Sequence, residues 1–332
     1  MAQFRKLLPE KELLAQFPWK IALKLLLTGF FLILLWVLLK KQEQGLRDVL
    51  LATLTHLKEG EGIWLCWLLA LVPVNWALES LKWQLLVNKI QTISFTDAVC
   101  STLSGLLSGL ALPAQIGDVV GRVAALNIAH RSRTIGAAFI SGGIQFYAAI
   151  FAGLLSLFFL WDRLGAGRAS LVMLTLLLGI VVAAGFLMFI FRKPLLARIP
   201  SNGLWRKVRS SLEVINDYSN GELLLAFGIG ALRYLTYMAQ FVAGLLLFAF
   251  ELSFIELVSC VALVLMIKTV MPALNLLGDL GLRGVSAVLI FGKFGILPDE
   301  IIAVTLLIWV TNILIPALFG LFLIWVRSWK FI

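Results

Sequence analysis

Polar and charged side chains recur at helical spacing inside stretches that are otherwise apolar. Asn75, Glu79 and Lys82 stand at i, i+4 and i+7 within Ile63–Val87, which puts them on one helical face. Arg233, Tyr237 and Gln240 repeat that spacing within Leu223–Phe250, while Gln145 and Asn312 punctuate two further apolar runs. Two short motifs resemble each other. Pro113 is followed by Gly117-Asp118-Val119-Val120-Gly121-Arg122, and Pro272 by Gly278-Asp279-Leu280-Gly281-Leu282-Arg283. An ionisable group within hydrocarbon costs about 3 kcal/mol or more, so each of these is a functional candidate.

The chemistry such groups offer is anion binding. Asp118 and Asp279 are suited to N-cap a helix that restarts after the Pro-Gly break, and Arg122 and Arg283 follow one turn later on the same face. A helix start presents free N–H groups and a positive dipole end, and an adjacent guanidinium completes a phosphate-sized site. The other reading is local: each Asp caps its helix and pairs with its own Arg. Glu79 and Lys82 likewise allow two readings, as cargo-binding groups or as an i, i+3 pair near the interface with Lys82 snorkelling. Arg233 lies about 15 Å into its helix at roughly 1.5 Å per residue, which favours a polar cavity or a buried carboxylate partner. Trp76 and Trp83 read as packing residues, and Lys268 as an interfacial lysine or a further positive charge at the second break.

Catalytic chemistry has less support. There is no DxD-like carboxylate pair and no histidine in an apolar segment, while His56 and His130 lack ligand-spaced partners. Cys66, Cys100 and Cys260 lie far apart and form no CxxC pair. The expectation is no catalytic residue, no metal, no cofactor and no disulfide framework.

The elements that hold these residues are membrane helices. Of the 332 residues, 61% are hydrophobic and 14% charged; a soluble domain carries about 25% charged residues. Such an apolar excess must face lipid. A bilayer core of roughly 30 Å takes about 20 helical residues. Six segments qualify: Lys20–Leu39, Ile63–Val87, Thr134–Trp161, Ala169–Phe191, Leu223–Phe250 and Ile301–Val326. Asp97–Leu126 and Glu256–Phe291 are broken by Pro and Gly, too long for one helix and short for two spans. They read as re-entrant helical hairpins, with breaks at Pro113, Gly117, Pro272 and Gly278. The fold class expected is an all-α integral membrane protein of six spans and two hairpins, a single transmembrane domain over 1–332.

Charge sets the orientation. Arg and Lys cluster near the N-terminus, around Lys89 and Arg131, over 192–209 and at Arg327 and Lys330; the alternate loops are mixed or acidic. Both termini are therefore expected on the cytoplasmic side of the plasma membrane, a bacterial inner membrane. The formal charge of +10 follows the same rule, favouring anionic headgroups as partners over nucleic acid. The run Ile21–Leu39 leads into Lys40-Lys41-Gln42-Glu43 with no small-residue cleavage site, so it is expected as a retained helix. Lys193–Tyr218 reads as a cytoplasmic amphipathic helix for an anionic surface or a soluble partner.

The hairpins also align outside their breaks, Ser94-Phe95-Thr96-Asp97 matching Ser253-Phe254-Ile255-Glu256. Repeat one then covers about 20–161 and repeat two about 169–326. An odd number of crossings between equivalent points inverts the second copy, a plan common among transporters.

Asn75 to Trp83, Pro113 to Arg122 and Gly278 to Arg283 resemble the lysylphosphatidylglycerol synthase transmembrane-region family, whose members are also called flippase-like domain proteins. The resemblance runs from about Ile63 to Val326. The family's first hairpin typically reads Pro-x-x-x-Gly-Glu-x-x-x-Arg, and Asp118 stands at its Glu. Its second typically reads Pro-Gly-Gly-Leu-Gly-x-x-Glu; here Asp279 replaces a Gly and Gly284 the final Glu. The resemblance implies movement of lipids between leaflets. Larger relatives carry a soluble aminoacyl-transferase domain; with the chain ending at Ile332, lipid aminoacylation is not expected of it.

The functional expectation is a lipid flippase for an anionic phospholipid, lipid phosphate or glycolipid, with Asn75, Glu79, Lys82, Asp118, Arg122, Arg233, Asp279 and Arg283 binding the headgroup. The alternatives are a membrane-embedded transferase using a lipid phosphate, or a membrane scaffold for a soluble synthase or glycosyltransferase partner.

Overall fold

The computed structural model describes residues 43–58, 60–111, 116–165, 167–271 and 276–326, with residues 25, 28–29, 32–33, 36–37 and 40 before them. Among these, every regular element is helical. In chain order they are α1 (Glu43–Lys58), α2 (Gly62–Val87), α3 (Phe95–Ala111), α4 (Ile116–Ala124), α5 (Arg131–Leu160), α6 (Arg168–Ile190), α7 (Arg192–Ala197), α8 (Gly203–Leu212) and α9 (Asn220–Leu247). Then follow α10 (Phe254–Val270), α11 (Leu276–Phe291), α12 (Pro298–Trp309), a π turn (Val310–Leu314) and α13 (Ile315–Val326).

Five helices among the described residues are long and apolar enough to cross a membrane: α2, α5, α6, α9, and α12 continuing through α13 to Leu323. They correspond to five of the six expected spans, α5 starting at Arg131 rather than Thr134. The remaining one, Lys20–Leu39, falls largely outside the described residues. Helix α6 buries only Leu171 and Leu178. It therefore presents most of its apolar surface outward, as a peripheral lipid-facing helix would.

The aligned serines begin the hairpins in the same way. Ser253 accepts from the Glu256 amide while the Glu256 carboxylate accepts from the Ser253 amide, a reciprocal cap that fixes the start of α10. Ser94 and Asp97 make the same exchange ahead of α3. Ser219 and Glu222 repeat it at α9, showing how far one device is reused.

Gly117 and Gly278 do not break the hairpins as expected; both lie inside helices, α4 and α11. Pro113 and Pro272 fall in 112–115 and 272–275, outside the described residues. What Gly117 provides is proximity, since a Cβ there would sit 2.1 Å from the Ser108 carbonyl oxygen. A side chain at this point would force α3 and α4 apart. Asp118 is correspondingly within the first turn of α4, not its N-cap. Helix α4 has 9 residues where its counterpart α11 has 16, so the two hairpins are unequal.

Packing brings the two halves of the chain together. Helices α2 and α9 run antiparallel: Gln240 donates to the Leu68 carbonyl at one end, Arg233 meets Glu79 midway, and Tyr218, ahead of α9, donates to the Leu86 carbonyl. Helix α5 lies on α10 through Gly153, where a Cβ would be 2.2 Å from the Met266 sulfur. Helix α13 lies on α3 through Gly320, where a Cβ would be 2.8 Å from the Leu103 carbonyl oxygen. The largest apolar cluster joins α5, α9, α10, α11 and α12 around Phe241, Val261, Val264, Phe291 and Ile301. A second, around Trp83, Val87, Val214 and Tyr218, anchors the 192–218 segment. That segment is not one amphipathic helix, because Pro200 separates α7 from α8 and a 3-10 turn (Glu213–Asp217) ends it.

Candidate functional site

Glu79 is the hub of a buried charge cluster. Helix α2 carries it toward the crossing with α9, leaving it 2% exposed. Lys82, on the same face, brings Nζ to 2.9 Å from Oε2 and also donates to the Ser141 carbonyl at 3.2 Å. Arg122 reaches across from α4, with Nη2 2.9 Å from Oε1. Arg233 approaches from α9, with Nε 3.1 Å from Oε2 though poorly aligned for a hydrogen bond, and donates through Nη1 to Gln145 at 2.8 Å. The Ser141 hydroxyl lies 3.5 Å from Oε1. Three helices thus place three cations around one carboxylate, and α5 adds the neutral Ser141 and Gln145.

Asp118 is the second anion. Arg122 Nε donates to both of its oxygens, at 2.9 and 2.8 Å. Its side chain is 35% exposed, against 8% for Arg122 and 3% for Glu79, so the cluster runs from the edge of the hairpin inward. Three cations against two carboxylates leave one net positive charge. Arg122 Nη1 is buried and has no hydrogen-bond partner among the described residues. A buried unmade hydrogen bond costs about 1–3 kcal/mol and more for a charged group, so a donor left in this state is poised for an incoming acceptor.

Lys82 does not snorkel, being 1% exposed and turned into the cluster. Trp76 and Trp83 contribute more than packing. Trp83 donates to Ser101 and lies under the Arg122 guanidinium, 5.4 Å from ring centroid to Cζ. Trp76 lies under Arg233 at 5.7 Å. Both rings offer the cations a π face that needs no further charge. Ser101 in turn donates to the Arg122 carbonyl, tying α3 to α4.

A polar chain adjoins the hub. Asn75 donates to Asn312 at 2.9 Å, and Asn312 donates to Gln240. Asn312 sits in the π turn, and the turn has a local cause. Pro316, four residues on, has no N–H to give the Asn312 carbonyl. The Trp76 indole supplies the missing donor at 3.1 Å.

The structure brings together Asn75, Glu79, Lys82, Asp118, Arg122 and Arg233 in one connected network with Asn312 and Gln240. Arg283 is elsewhere. It is 3% exposed, donates to the Tyr237 hydroxyl and stacks over that ring. The side chain of Asp279 lies outside the described residues, and Gly278 is in the first turn of α11. Among the described side chains Arg122 meets the acidic pair Asp118 and Glu79, and Arg283 meets the Tyr237 hydroxyl. Ser141 and the two tryptophans are the members that sequence reasoning missed; an isolated serine in an apolar helix carries no signal, and a tryptophan in a membrane helix reads first as packing. Outside the spans, burial raises the Tyr218 phenol above its ordinary value, keeping it the donor to Leu86.

The model of the lysylphosphatidylglycerol synthase TM region matches residues 21–320. The chain belongs to that family. No curated protein matches it in sequence. The matched span contains the entire charge cluster and the polar chain beside it. With its apolar helices, the membership makes this a multi-pass, all-α membrane protein of a lipid-related family.

Proposed function

We propose that the chain moves a lipid with an anionic headgroup between leaflets, the phosphate engaging the cations around Glu79 while the acyl chains stay in the bilayer. The observation that carries this reading is the buried, net-positive cluster in which Arg122 Nη1 has no partner among the described residues. A structural ion pair would be expected to close its charges; a transport site must leave some affinity for cargo and some means of release.

The architecture fits alternating exposure of such a site. Helix α2 of the first half crosses α9 of the second in antiparallel fashion, and each half packs its long span on the other half's first hairpin arm. That exchange supports an inverted repeat over about 20–161 and 169–326. The positive-inside distribution supports cytoplasmic termini in a plasma membrane. In this reading the chain performs no covalent chemistry, and 193–218 lies on the cytoplasmic face.

Purified protein in vesicles carrying fluorescent phosphatidylglycerol tests the proposal. Leaflet exchange faster than in empty vesicles, with the lipid recovered unchanged, is the expected result. Exchange at the empty-vesicle rate contradicts it, and a covalently altered lipid would favour a transferase.

A further inference from the structure

Glu79 and Asp118 do more than hold the cations. We propose that these two carboxylates set the charge the site accepts: they leave one positive charge uncompensated, so the site prefers a phosphodiester to a phosphate bearing two negative charges. The inference rests on the reading of the cluster as a headgroup site and adds its selectivity rule.

The charge balance is the argument. Lys82, Arg122 and Arg233 face Glu79 and Asp118, and among the described residues no other ion pair reaches into the cluster. Neutral groups complete the shell: Ser141, Gln145, Trp76 and Trp83. One negative charge arriving at Arg122 Nη1 neutralises the whole. A second would sit uncompensated in a region where Glu79 and Lys82 are nearly solvent-free, and isolated charge in such surroundings is strongly disfavoured. The two carboxylates differ in access. Glu79 is sealed inside as a resident counter-ion, whereas Asp118, about a third exposed, stands at the rim on the same guanidinium that has the unpartnered nitrogen. Asp118 therefore acts on the charge of an incoming headgroup without being needed to hold Glu79 in place.

Native mass spectrometry of the full-length protein, given equal phosphatidylglycerol and phosphatidic acid at neutral pH, reads this directly. There the phosphatidic acid monoester already carries roughly 1.5 to 2 negative charges, against one for the diester. The parent should retain phosphatidylglycerol in excess. Asp118→Asn raises the residual charge by one and should shift the retention ratio toward phosphatidic acid by about tenfold, the factor expected for one unit charge at roughly 10 Å in partly solvated protein. Glu79→Gln, where it folds, should shift the ratio in the same direction; Asp118→Asn decides the matter where it does not. A ratio unchanged in Asp118→Asn, equal retention of both lipids by the parent, or retention of neither overturns the proposal. A shifted ratio in protein that exchanges no lipid in vesicles would uphold the selectivity rule and defeat the transport reading alone.

Discussion

Replacing Glu79 by Gln keeps the shape of the hub and removes its charge. Breaking one side of a buried ion pair costs about 3–5 kcal/mol, because the remaining charge is left uncompensated. Here each cation keeps a second partner: Arg122 has Asp118, Lys82 the Ser141 carbonyl, Arg233 Gln145. The lower end, about 3 kcal/mol, therefore applies. For a chain of this length roughly 2 °C of melting temperature accompanies each kcal/mol, so the midpoint in detergent should fall by about 6 °C. Arg233→Gln should do far less, about 1 kcal/mol, since Glu79 keeps Lys82 and Arg122 and the Arg233 side chain is 20% exposed. The double variant should lose less than the two losses added, by about 1 kcal/mol, because its second change removes a cation already without its partner. Melting by intrinsic tryptophan fluorescence suits both variants. Equal losses for the two single variants, or strict additivity in the double, would refute the picture of Glu79 as a shared hub.

Two further changes probe the scaffold. Gly117→Ala should lower the midpoint clearly, by the equivalent of about 2 kcal/mol, as its Cβ would overlap the Ser108 carbonyl; Gly109→Ala, with its nearest contact at 3.5 Å, should be near neutral in the same melt. Asn312→Leu leaves Asn75 and Gln240 without their shared partner and should destabilise by about 1–2 kcal/mol in urea or thermal unfolding, with Trp76 fluorescence little changed because its acceptor is the backbone.

Much of the site was legible because membrane helices make polar residues conspicuous. The spacing of Asn75, Glu79 and Lys82 correctly implied one face, and the depth of Arg233 implied a polar cavity or a buried carboxylate; the carboxylate it meets is Glu79. The identity of that partner was not legible, since it depends on how α2 crosses α9, and many apolar faces would pack comparably well in lipid. Local rules misjudged Gly117 for a related reason. Gly117 has the φ freedom to break a helix, but its position against Ser108 uses the absence of a side chain instead. The π turn at Asn312 lies within a mostly apolar run; the Trp76 indole, 236 residues away in sequence, reveals why the freed carbonyl is tolerated. The likeness of the two hairpin segments was legible at their starts, where Ser94 with Asp97 and Ser253 with Glu256 make the same reciprocal cap.

Leaflet exchange by Arg122→Gln protein, matched to the parent for folding by its elution and melting profile, tests the central claim most directly. Loss of this buried guanidinium, whose Nη1 has no hydrogen-bond partner among the described residues, should slow exchange of labelled phosphatidylglycerol at least about tenfold. Exchange at the parental rate would mean that the cluster around Glu79 holds helices together and takes no part in carrying lipid.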